Sequence, residues 1–514
     1  MSKIPVPKFQ FRLFDFQVFN KSIGEGSDAE TNFEIQMFGI NEKGESCSIF
    51  VEEYMPFFYI KIDNSWSPMQ VNSYKEFIMK KVGKKCAQQI ESFKMVYRKQ
   101  LYGFDGGRKH KFLEVKFHNT TSYNRVKYLF QKNQYYDRKT IKYINFDTEL
   151  YEANIPPLLR YFHIQNISPT GWVEIEGFEA IEKTTTCNYE FVLSYTNIRP
   201  LNDNETPVPY KICSFDIEAS SSHGDFPVPI KDYKKLAVDM VAYKDTIADA
   251  WGQYGEGTQK QLFNDMIYEA FGFKPKRNID IVYPKKKVTK ERLKKIMDTF
   301  YVKKLSDVYI YDEPDKYAYK REEEEEDDDE KERQLNLEKF MGLNVLDMFK
   351  NNPSHDEEVT FLTMYLSKTF PQLEGDKVTF IGSTFQKYGS KEPYKNHIIV
   401  LDTCSPMENV ENAVIECYKT EREVLLAWQR LIKEENPDIM TGYNIFGFDY
   451  NFMFKRAQEN DCVEQFLELS RNDDEVCGDQ QTDGSYKIEE SKIVLASGEH
   501  ELQYIKMPGR VQID

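Results

Sequence analysis

The chain has 514 residues, of which 40% are apolar and 30% charged, and its net charge is −16 at pH 7. This length suffices for about two to four domains, and no apolar run approaches the roughly 18 residues that a membrane-spanning helix requires. The eight cysteines include no Cys-x-x-Cys pair, which argues against a disulfide framework or a zinc finger. We therefore expect a soluble intracellular protein that has no membrane partner.

The acidic charge is concentrated in one place. Residues 322–330 are nine consecutive acids, and without these nine the net charge of −16 becomes −7. Net charge also hides local patches, on which the binding of nucleic acid depends. The charge is thus only weak evidence against a DNA-binding protein, and it predicts that any basic surface is local.

Residues 1–205 predict a β-rich α+β domain. Apolar and polar residues alternate from Phe33 to Met37, as in a half-buried strand, and turn residues at 41–44 lead into a returning strand at 49–51. Phe112 to Phe117 predicts a further strand. A polar, proline-containing connector at 200–209 marks the expected end of this domain.

Residues 206–514 predict a mixed α/β domain with strands at 211–218, 377–382, 398–401 and 439–440. Helices are predicted from Glu421 to Glu435 and from Asp449 to Asn460, and another begins with Thr289 as its N-cap. The acidic run at 322–332 is expected to be disordered, because long blocks of like charge usually are. The basic cluster between residues 285 and 295 is expected to be a solvated helix face rather than a phosphate site.

Two acids share one face of the strand that starts at Lys211. Alternate residues of a strand point to one side, so Asp216 and Glu218 project together while Phe215 and Ile217 pack beneath. Neighbouring carboxylates repel each other, and Mg²⁺ or Mn²⁺ between them relieves that repulsion. An edge strand with ordinary surface acids would have the same five residues, and Asp-x-Glu alone does not separate the two interpretations.

A third acid follows a turn that contains two glycines. Gly442 and Gly447 let the backbone turn tightly, so that the carboxylate of Asp449 can point back toward the strand ends. Taken alone, Asp449 is more simply explained as a helix N-cap. Phe446 and Phe448 beside it could stack on bases, but core packing is the commoner role of such residues, and we expect it for Phe448.

The segments 214–218 and 441–449, in this order, resemble the first and second exonuclease motifs of family B DNA polymerases. Residues 151–162 and 171–175 are similar to the N-terminal domain of delta-type members, and residues 220–227 look most like polymerases of large DNA viruses of protists. The resemblance is interrupted from about 232 to 372, which predicts an insertion. It implies a ribonuclease-H-like exonuclease domain at 206–514, preceded by the N-terminal domain at 1–205.

The resemblance implies a DNA polymerase of replication, whose front part carries 3′→5′ proofreading chemistry with two Mg²⁺ or Mn²⁺ ions. By the motif match, Asp216 would bridge both metals, Glu218 would bind one and orient the attacking water, and Asp449 would bind the second. Asn444 and Phe446 would contact the single-stranded 3′ end of the DNA.

The implied partners are primer–template DNA, a C-terminal polymerase half in the same or a separate chain, and a sliding clamp. The implied location is the nucleus or a viral replication site in the host cytoplasm.

Two features of the family are not found. The third exonuclease motif, Tyr-x-x-x-Asp, has matches only ahead of Asp449, at Tyr59, Tyr143 and Tyr311, and the polymerase signatures are absent. We therefore expect an exonuclease domain that is incomplete at its C-terminal end, no DNA synthesis by this chain alone, and weak exonuclease activity at most. A non-catalytic DNA-binding or assembly subunit of a split polymerase, or a free-standing nuclease, stays open as an alternative.

Overall fold

The computed structural model describes residues 8–24, 30–100, 105–131, 149–180, 182–273, 277, 279–309, 337–351, 353–406, 412–495 and 498–514. Two segments, Met1–Glu218 and Phe380–Asp514, pack into one compact unit, and Ala219–Thr379 forms a second. The acidic run at 322–332, predicted to be disordered, lies outside the described residues. The domain boundary at 205/206 and the insertion at 232–372 stay predictions.

The first unit opens with eleven strands and four helices among its described residues. In chain order these are β1 (Phe9–Ile23), β2 (Glu30–Ile40), β3 (Ser46–Glu52), β4 (Phe57–Lys61), α1 (Pro68–Val82), α2 (Lys84–Gln88), β5 (Ile90–Lys99), β6 (Lys109–Phe117), α3 (Thr120–Gln131), β7 (Leu150–Tyr151), α4 (Pro157–Gln165), β8 (Trp172–Ile175), β9 (Glu179–Ala180), β10 (Tyr189–Ser194) and β11 (Ile198–Pro200).

Seven of these strands form a sheet in the order β11–β8–β1–β2–β3–β10–β9. The predicted hairpin of β2 and β3 is confirmed by their antiparallel pairing. The predicted half-buried alternation in β2 is wrong, because both faces of the strand are covered and its polar residues Glu34 and Gln36 are buried too. The amide of Gln36 keeps its hydrogen bonds by donating to the Ser48 hydroxyl at 2.8 Å and the Asn472 side-chain oxygen at 2.7 Å.

A second, four-stranded sheet has the order β5–β6–β4–β7, and every neighbouring pair in it is antiparallel. The chain runs through this sheet in the order β4, α1, α2, β5, β6, α3 and β7. Helices α1 and α3 cover the same face of the sheet. On that face Phe58, Ile60, Leu113 and Val115 pack with apolar residues of the two helices in one buried core. The predicted strand at 112–117 is part of β6.

After β12 (Lys211–Ser220) the chain enters the second unit, which is helical in its described part. Its helices are α5 (Lys234–Thr246), α6 (Ala248–Trp251), α7 (Glu256–Ala270), α8 (Lys290–Phe300), α9 (Leu305–Val308), α10 (Val345–Lys350) and α11 (His355–Thr369). The predicted start of α8 is confirmed, because the Thr289 hydroxyl accepts a hydrogen bond from the Arg292 backbone N–H at 3.3 Å. The basic side chains before and along α8 are exposed, as expected for a solvated face.

The chain then returns to the first unit and completes a mixed sheet. The elements are β13 (Lys377–Lys387), β14 (Lys395–Leu401), β15 (Ala413–Tyr418), α12 (Glu421–Glu435), β16 (Ile439–Thr441), α13 (Tyr450–Glu459), α14 (Val463–Phe466), β17 (Asp479–Gln480), β18 (Tyr486–Lys487), β19 (Glu489–Leu495), β20 (Gly498–Tyr504) and β21 (Val511–Ile513).

The six strands of this sheet are ordered β15–β14–β13–β12–β16–β21. β12 pairs in parallel with β16, and β16 pairs in parallel with β21, so the carboxyl ends of these three strands meet at one edge. The bounds predicted for the helix at 421–435 are confirmed by α12. In the described part of the chain, no helix is long and apolar enough to cross a membrane.

Candidate functional site

β12 presents its two acids on the solvent side of the sheet. Asp216 and Glu218 are exposed, whereas Phe215 and Ile217 are buried, so the predicted alternation is confirmed. On the buried side of the strand, the Phe215 ring lies 5.1 Å from the ring of Trp428 on α12. β12 therefore packs on α12 through Phe215, while its two carboxylates project to the opposite side.

Asp449 lies at the end of the helical turn that follows β16, the strand paired with β12. Its side chain is 2% exposed, and its carboxylate accepts a hydrogen bond from the Ile217 backbone N–H at 3.2 Å. It makes no capping hydrogen bond to the helix that follows, so the N-cap interpretation does not hold. Burial, and next the negative charge of Asp216, raise the pKa of Asp449 to about 7.

The turn between β16 and α13 is built differently from the prediction. The residue in the left-handed region is Asn444, with φ 57°, and neither Gly442 nor Gly447 has positive φ. Both glycines are needed for space instead: a Cβ on Gly442 would lie 2.6 Å from the Phe215 carbonyl oxygen, and a Cβ on Gly447 would overlap the Asn444 side chain. Residues 445–449 then form a single turn of π-helix, which is wider than an α-helix, and α13 starts at Tyr450.

Aromatic rings surround this turn. Tyr443 is 93% exposed, and Phe446 is half-buried with its ring 5.1 Å from that of Tyr504 on β20. Phe448 is half-buried 5.2 Å from Phe452, so the expectation that it lies in the core is wrong. Its ring packs against the buried Phe452 of α13 and leaves part of its own surface exposed.

Three residues near the site were missed by the sequence analysis: Tyr443, Tyr504 and Asp514. The Asp514 carboxylate accepts a hydrogen bond from the Phe446 backbone N–H at 3.3 Å. Tyr443 lies inside the second motif, where a bulky aromatic residue beside a turn was an available signal. Tyr504 and Asp514 had no local signal, because their partner Phe446 is far away along the chain.

The three acids fit a divalent cation in donor type and in charge. Carboxylate oxygens are the ligands that Mg²⁺ and Mn²⁺ prefer. The pKa of Asp449 is raised first by burial and then by repulsion from Asp216, and a cation would offset both by stabilising the charged carboxylate. Within the described ranges, no three Asp, Glu, His or Cys side chains are already grouped closely enough to hold a metal ion. Binding through all three acids would therefore require side-chain rearrangement, for which the exposed Asp216 and Glu218 have room.

Comparison with known proteins places this arrangement in a family. The family model described as DNA polymerase family B, exonuclease domain, matches residues 148–245 and 356–514, which is half of the chain. The chain belongs to DNA polymerase family B. The match spans both acidic motifs and confirms the predicted mixed α/β fold with an exonuclease domain. Members of this exonuclease family are metal-dependent nucleases in general.

Several relatives are viral DNA polymerases. The chain is 38% identical to a DNA polymerase of Phaeocystis pouchetii virus over 100% of the chain and 53% of that protein, and 32% identical to one of Pyramimonas orientalis virus over 98% and 40%. It is also 36% identical to the DNA polymerase delta catalytic subunit of Arabidopsis thaliana over 20% of the chain and 9% of that protein. The predicted likeness to viral and delta-type polymerases is confirmed, and the chain spans about half, or less, of the length of these relatives.

Proposed function

We propose that this chain carries the 3′→5′ proofreading site of a replicative family B DNA polymerase and removes nucleotides from the single-stranded 3′ end of DNA. Asp216, Glu218 and Asp449 would hold two Mg²⁺ or Mn²⁺ ions. The observation that carries the proposal is the pair formed by exposed Asp216 and buried Asp449, which the Ile217 N–H fixes against β12. A buried carboxylate beside a second one is costly, and a cation is its natural partner.

The three carboxylates would differ in their roles because they differ in burial. When bound, the ions would activate the attacking water and stabilise the leaving oxygen. Asp449 is held by the backbone of β12, so it would define the position of the site and lose its proton as positive charge arrives. Asp216, its neighbour, would offer oxygens to both ions. Glu218, two residues further along the exposed face, would bind one ion and orient the water.

The turn before Asp449 would hold the end of the DNA strand. Asn444 is exposed at the left-handed position, and its side chain is available to the sugar or base of the terminal nucleotide. Phe446 is held in place by Tyr504 and keeps part of its ring at the surface, where an unpaired base can stack. Tyr443, which is 93% exposed, would offer a second ring.

The domain organisation and the partners belong to the same proposal. We place the N-terminal domain at 1–205, the exonuclease domain at 206–514 and the insertion at about 232–372. The relatives are longer than this chain, which supports joint action with a C-terminal polymerase half, in the same or a separate chain, on primer–template DNA. A sliding clamp, and action in the nucleus or at a viral replication site in the host cytoplasm, complete the proposal.

The test is Mn²⁺ binding by calorimetry, together with degradation of a 5′-labelled single-stranded oligonucleotide by the purified chain. Replacing Asp216 and Asp449 by Asn should abolish Mn²⁺ binding at the site and lower any hydrolysis by orders of magnitude. The matched control replaces Asp203 by Asn and Glu205 by Gln, two exposed acids of the same unit, and should change neither.

Unchanged Mn²⁺ binding in the Asp216/Asp449 double variant would refute the site. If the chain binds single strands but neither binds Mn²⁺ nor hydrolyses DNA, the non-catalytic subunit replaces the enzyme as the best account.

A further inference from the structure

A basic region lies inside this acidic chain. Residues 57–131, which run from β4 to the end of α3, contain fifteen lysines and arginines but only five aspartates and glutamates, a net charge of +10. The whole chain has a net charge of −16. This region has no part in the chemistry proposed for Asp216, Glu218 and Asp449, and its charge favours a polyanionic ligand.

The same region contains the four-stranded sheet, and the two faces of that sheet differ. One face packs against α1 and α3. Residues directly opposite each other on paired strands point to the same side, so the register defines the other face. The members of this outer face, from the four strands, are Phe57, Tyr59, Lys61, Ser92, Lys94, Val96, Arg98, His110, Phe112, Glu114, Lys116 and Tyr151.

Aromatic rings form the centre of the outer face. Phe112 is 2% exposed, and the rings of Tyr59 and Tyr151 lie 6.4 and 5.1 Å from it on either side, both edge-on. Phe57 continues the row, 5.7 Å from Tyr59. Phe57, Tyr59 and Tyr151 are half-buried, so each is supported from below and still reaches the surface. Rings held in this way lose little conformational freedom when a base stacks on them.

Cations flank these rings. The Lys61 ammonium lies 6.0 Å from the centre of the Tyr151 ring, and the Arg160 guanidinium lies 4.9 Å from that of Phe57. Lys94 and Arg98 on the edge strand β5 are exposed, and the charge of Arg98 acts on the Tyr59 hydroxyl. Acids are present as well: Glu114 lies on the face itself, and Glu149 accepts from Lys61 at 3.2 Å. Cations nonetheless outnumber acids.

We propose that the outer face of the four-stranded sheet is a binding site for single-stranded nucleic acid, with bases stacked on Tyr59 and Tyr151 and phosphates bound by Lys94 and Arg98. A sheet with aromatic rings on its open face presents flat surfaces that only unpaired bases can reach, whereas a duplex hides its base faces. Single-stranded DNA and RNA share this chemistry, and the experiment below separates them.

The experiment measures fluorescence anisotropy of labelled poly-dT, poly-rU and duplex oligonucleotides of about 20 nucleotides, with the whole chain in EDTA to prevent hydrolysis. Replacing Tyr59 and Tyr151 by Leu should weaken single-strand binding roughly tenfold or more, because the apolar packing on Phe112 remains but the stacking surface is lost. Replacing the same two residues by Phe keeps the rings and should keep the affinity within about twofold.

The second arm changes charge at exposed positions, where folding is not at risk. Replacing Lys94 and Arg98 by Gln should weaken binding and lower the slope of log affinity against log salt by about 1.4, or about 0.7 per cation. The matched control replaces Lys80 and Lys84 by Gln, two exposed cations on the helical side of the same region, and should leave the slope unchanged.

Tighter binding of poly-rU or of poly-dT identifies RNA or DNA as the preferred ligand, and either result supports the proposal. It is overturned if the duplex binds as tightly as the single strands, if no single strand binds, or if the Lys80/Lys84 pair weakens binding as much as the Lys94/Arg98 pair. It is also overturned if the Leu and Phe double variants bind equally well.

Discussion

The two ends of β16 hold buried acids in opposite settings. Just before the strand, Asp438 is 2% exposed and paired with the buried guanidinium of Arg471 at 2.7 Å. Beyond the strand, the equally buried Asp449 has a second carboxylate, Asp216, as its neighbour and one backbone N–H as its support. At one end the buried acid is thus paired with a cation of the protein, and at the other end two acids lie together.

Further hydrogen bonds surround the ion pair between Asp438 and Arg471. Arg510 lies beside Arg471, and burial, followed by the charge of Arg471, lowers the pKa of Arg510 to about 9. Its guanidinium donates to the Asn436 side chain at 2.9 Å and to the Pro437 carbonyl at 2.7 Å, and Arg471 also donates to Asn436. These hydrogen bonds and the ion pair tie the first end to the surrounding chain, although one guanidinium nitrogen of each arginine is buried without a hydrogen-bond partner. The acids at the other end remain available for a cation.

The largest effect on stability is expected from breaking the ion pair between Asp438 and Arg471. Replacing Arg471 by Met leaves the Asp438 carboxylate buried without its ion-pair partner, which should cost about 3–5 kcal/mol of unfolding free energy. Urea unfolding followed by tryptophan fluorescence measures this loss. Arg430→Met, at an exposed position on α12, is the control and should change stability by less than about 0.5 kcal/mol. A loss below about 1 kcal/mol for the Arg471 variant would show that the two ends of β16 do not differ as described.

At the end of β16 with two acids, a substitution is expected to stabilise the protein rather than destabilise it. The pKa of Asp449 is raised in the folded state from its ordinary value of 3.8 to about 7, so the cost of its charge is absent below about pH 4 and grows as pH rises to about 7. Asp449→Asn keeps an oxygen for the Ile217 N–H and should therefore stabilise the metal-free chain at pH 8 by about 3–4 kcal/mol, with little change at pH 4.

Unfolding curves of the Asp449→Asn and unaltered chains, at both pH values and with and without Mn²⁺, test this sign. Mn²⁺ should stabilise the unaltered chain and reduce the advantage of the variant. A variant that is less stable than the unaltered chain at pH 8 in EDTA would disprove the repulsion between Asp216 and Asp449. Asp438→Asn serves as the contrast and should destabilise, because it weakens the pairing with Arg471.

A smaller effect is expected from the turn that connects β16 to Asp449. Gly442→Ala would bring a Cβ within 2.6 Å of the Phe215 carbonyl oxygen, so β12 and the turn must separate. The expected cost is about 1–3 kcal/mol, with weaker Mn²⁺ binding because Asp449 moves away from Asp216. Gly257→Ala in α7 has open space around its Cβ and should not destabilise, which calorimetry on both variants can check. Equal Mn²⁺ affinity of the two variants would contradict the close-approach role of Gly442.

The smallest effect is expected at the start of α12, which supports β12 from below. The Thr420 hydroxyl accepts from the Glu423 N–H at 3.3 Å, and Thr420→Ala should cost about 1 kcal/mol by removing this cap. Thr420→Ser keeps the hydroxyl and should be close to neutral. Because the cap is separate from the acids, the pH dependence of stability should be unchanged in both variants. A changed pH dependence would mean that α12 takes part in setting the pKa of Asp449.

Local periodicity in the sequence predicted the structure correctly where the pattern is compatible with only one local structure. The alternation at 214–218 placed Asp216 and Glu218 on one face, and the apolar spacing gave the bounds of α12, because both follow from backbone geometry within a few residues. The same reasoning failed for β2, where alternation predicted a solvent face. That face is covered by distant parts of the chain, as the hydrogen bond between Gln36 and Asn472 shows.

The amino-acid sequence by itself determined which acids occur, in which order, and that two of them share a strand face. Only the tertiary structure decided that the Asp449 carboxylate accepts a hydrogen bond from the Ile217 N–H, and that Asp438 at the other end of β16 pairs with Arg471. It also decided that Asn444, rather than a glycine, takes the left-handed conformation in the turn. The physical reason for the two contacts is sequence separation: Asp449 and Ile217, and likewise Asp438 and Arg471, are far apart along the chain, so no local pattern indicates that they meet.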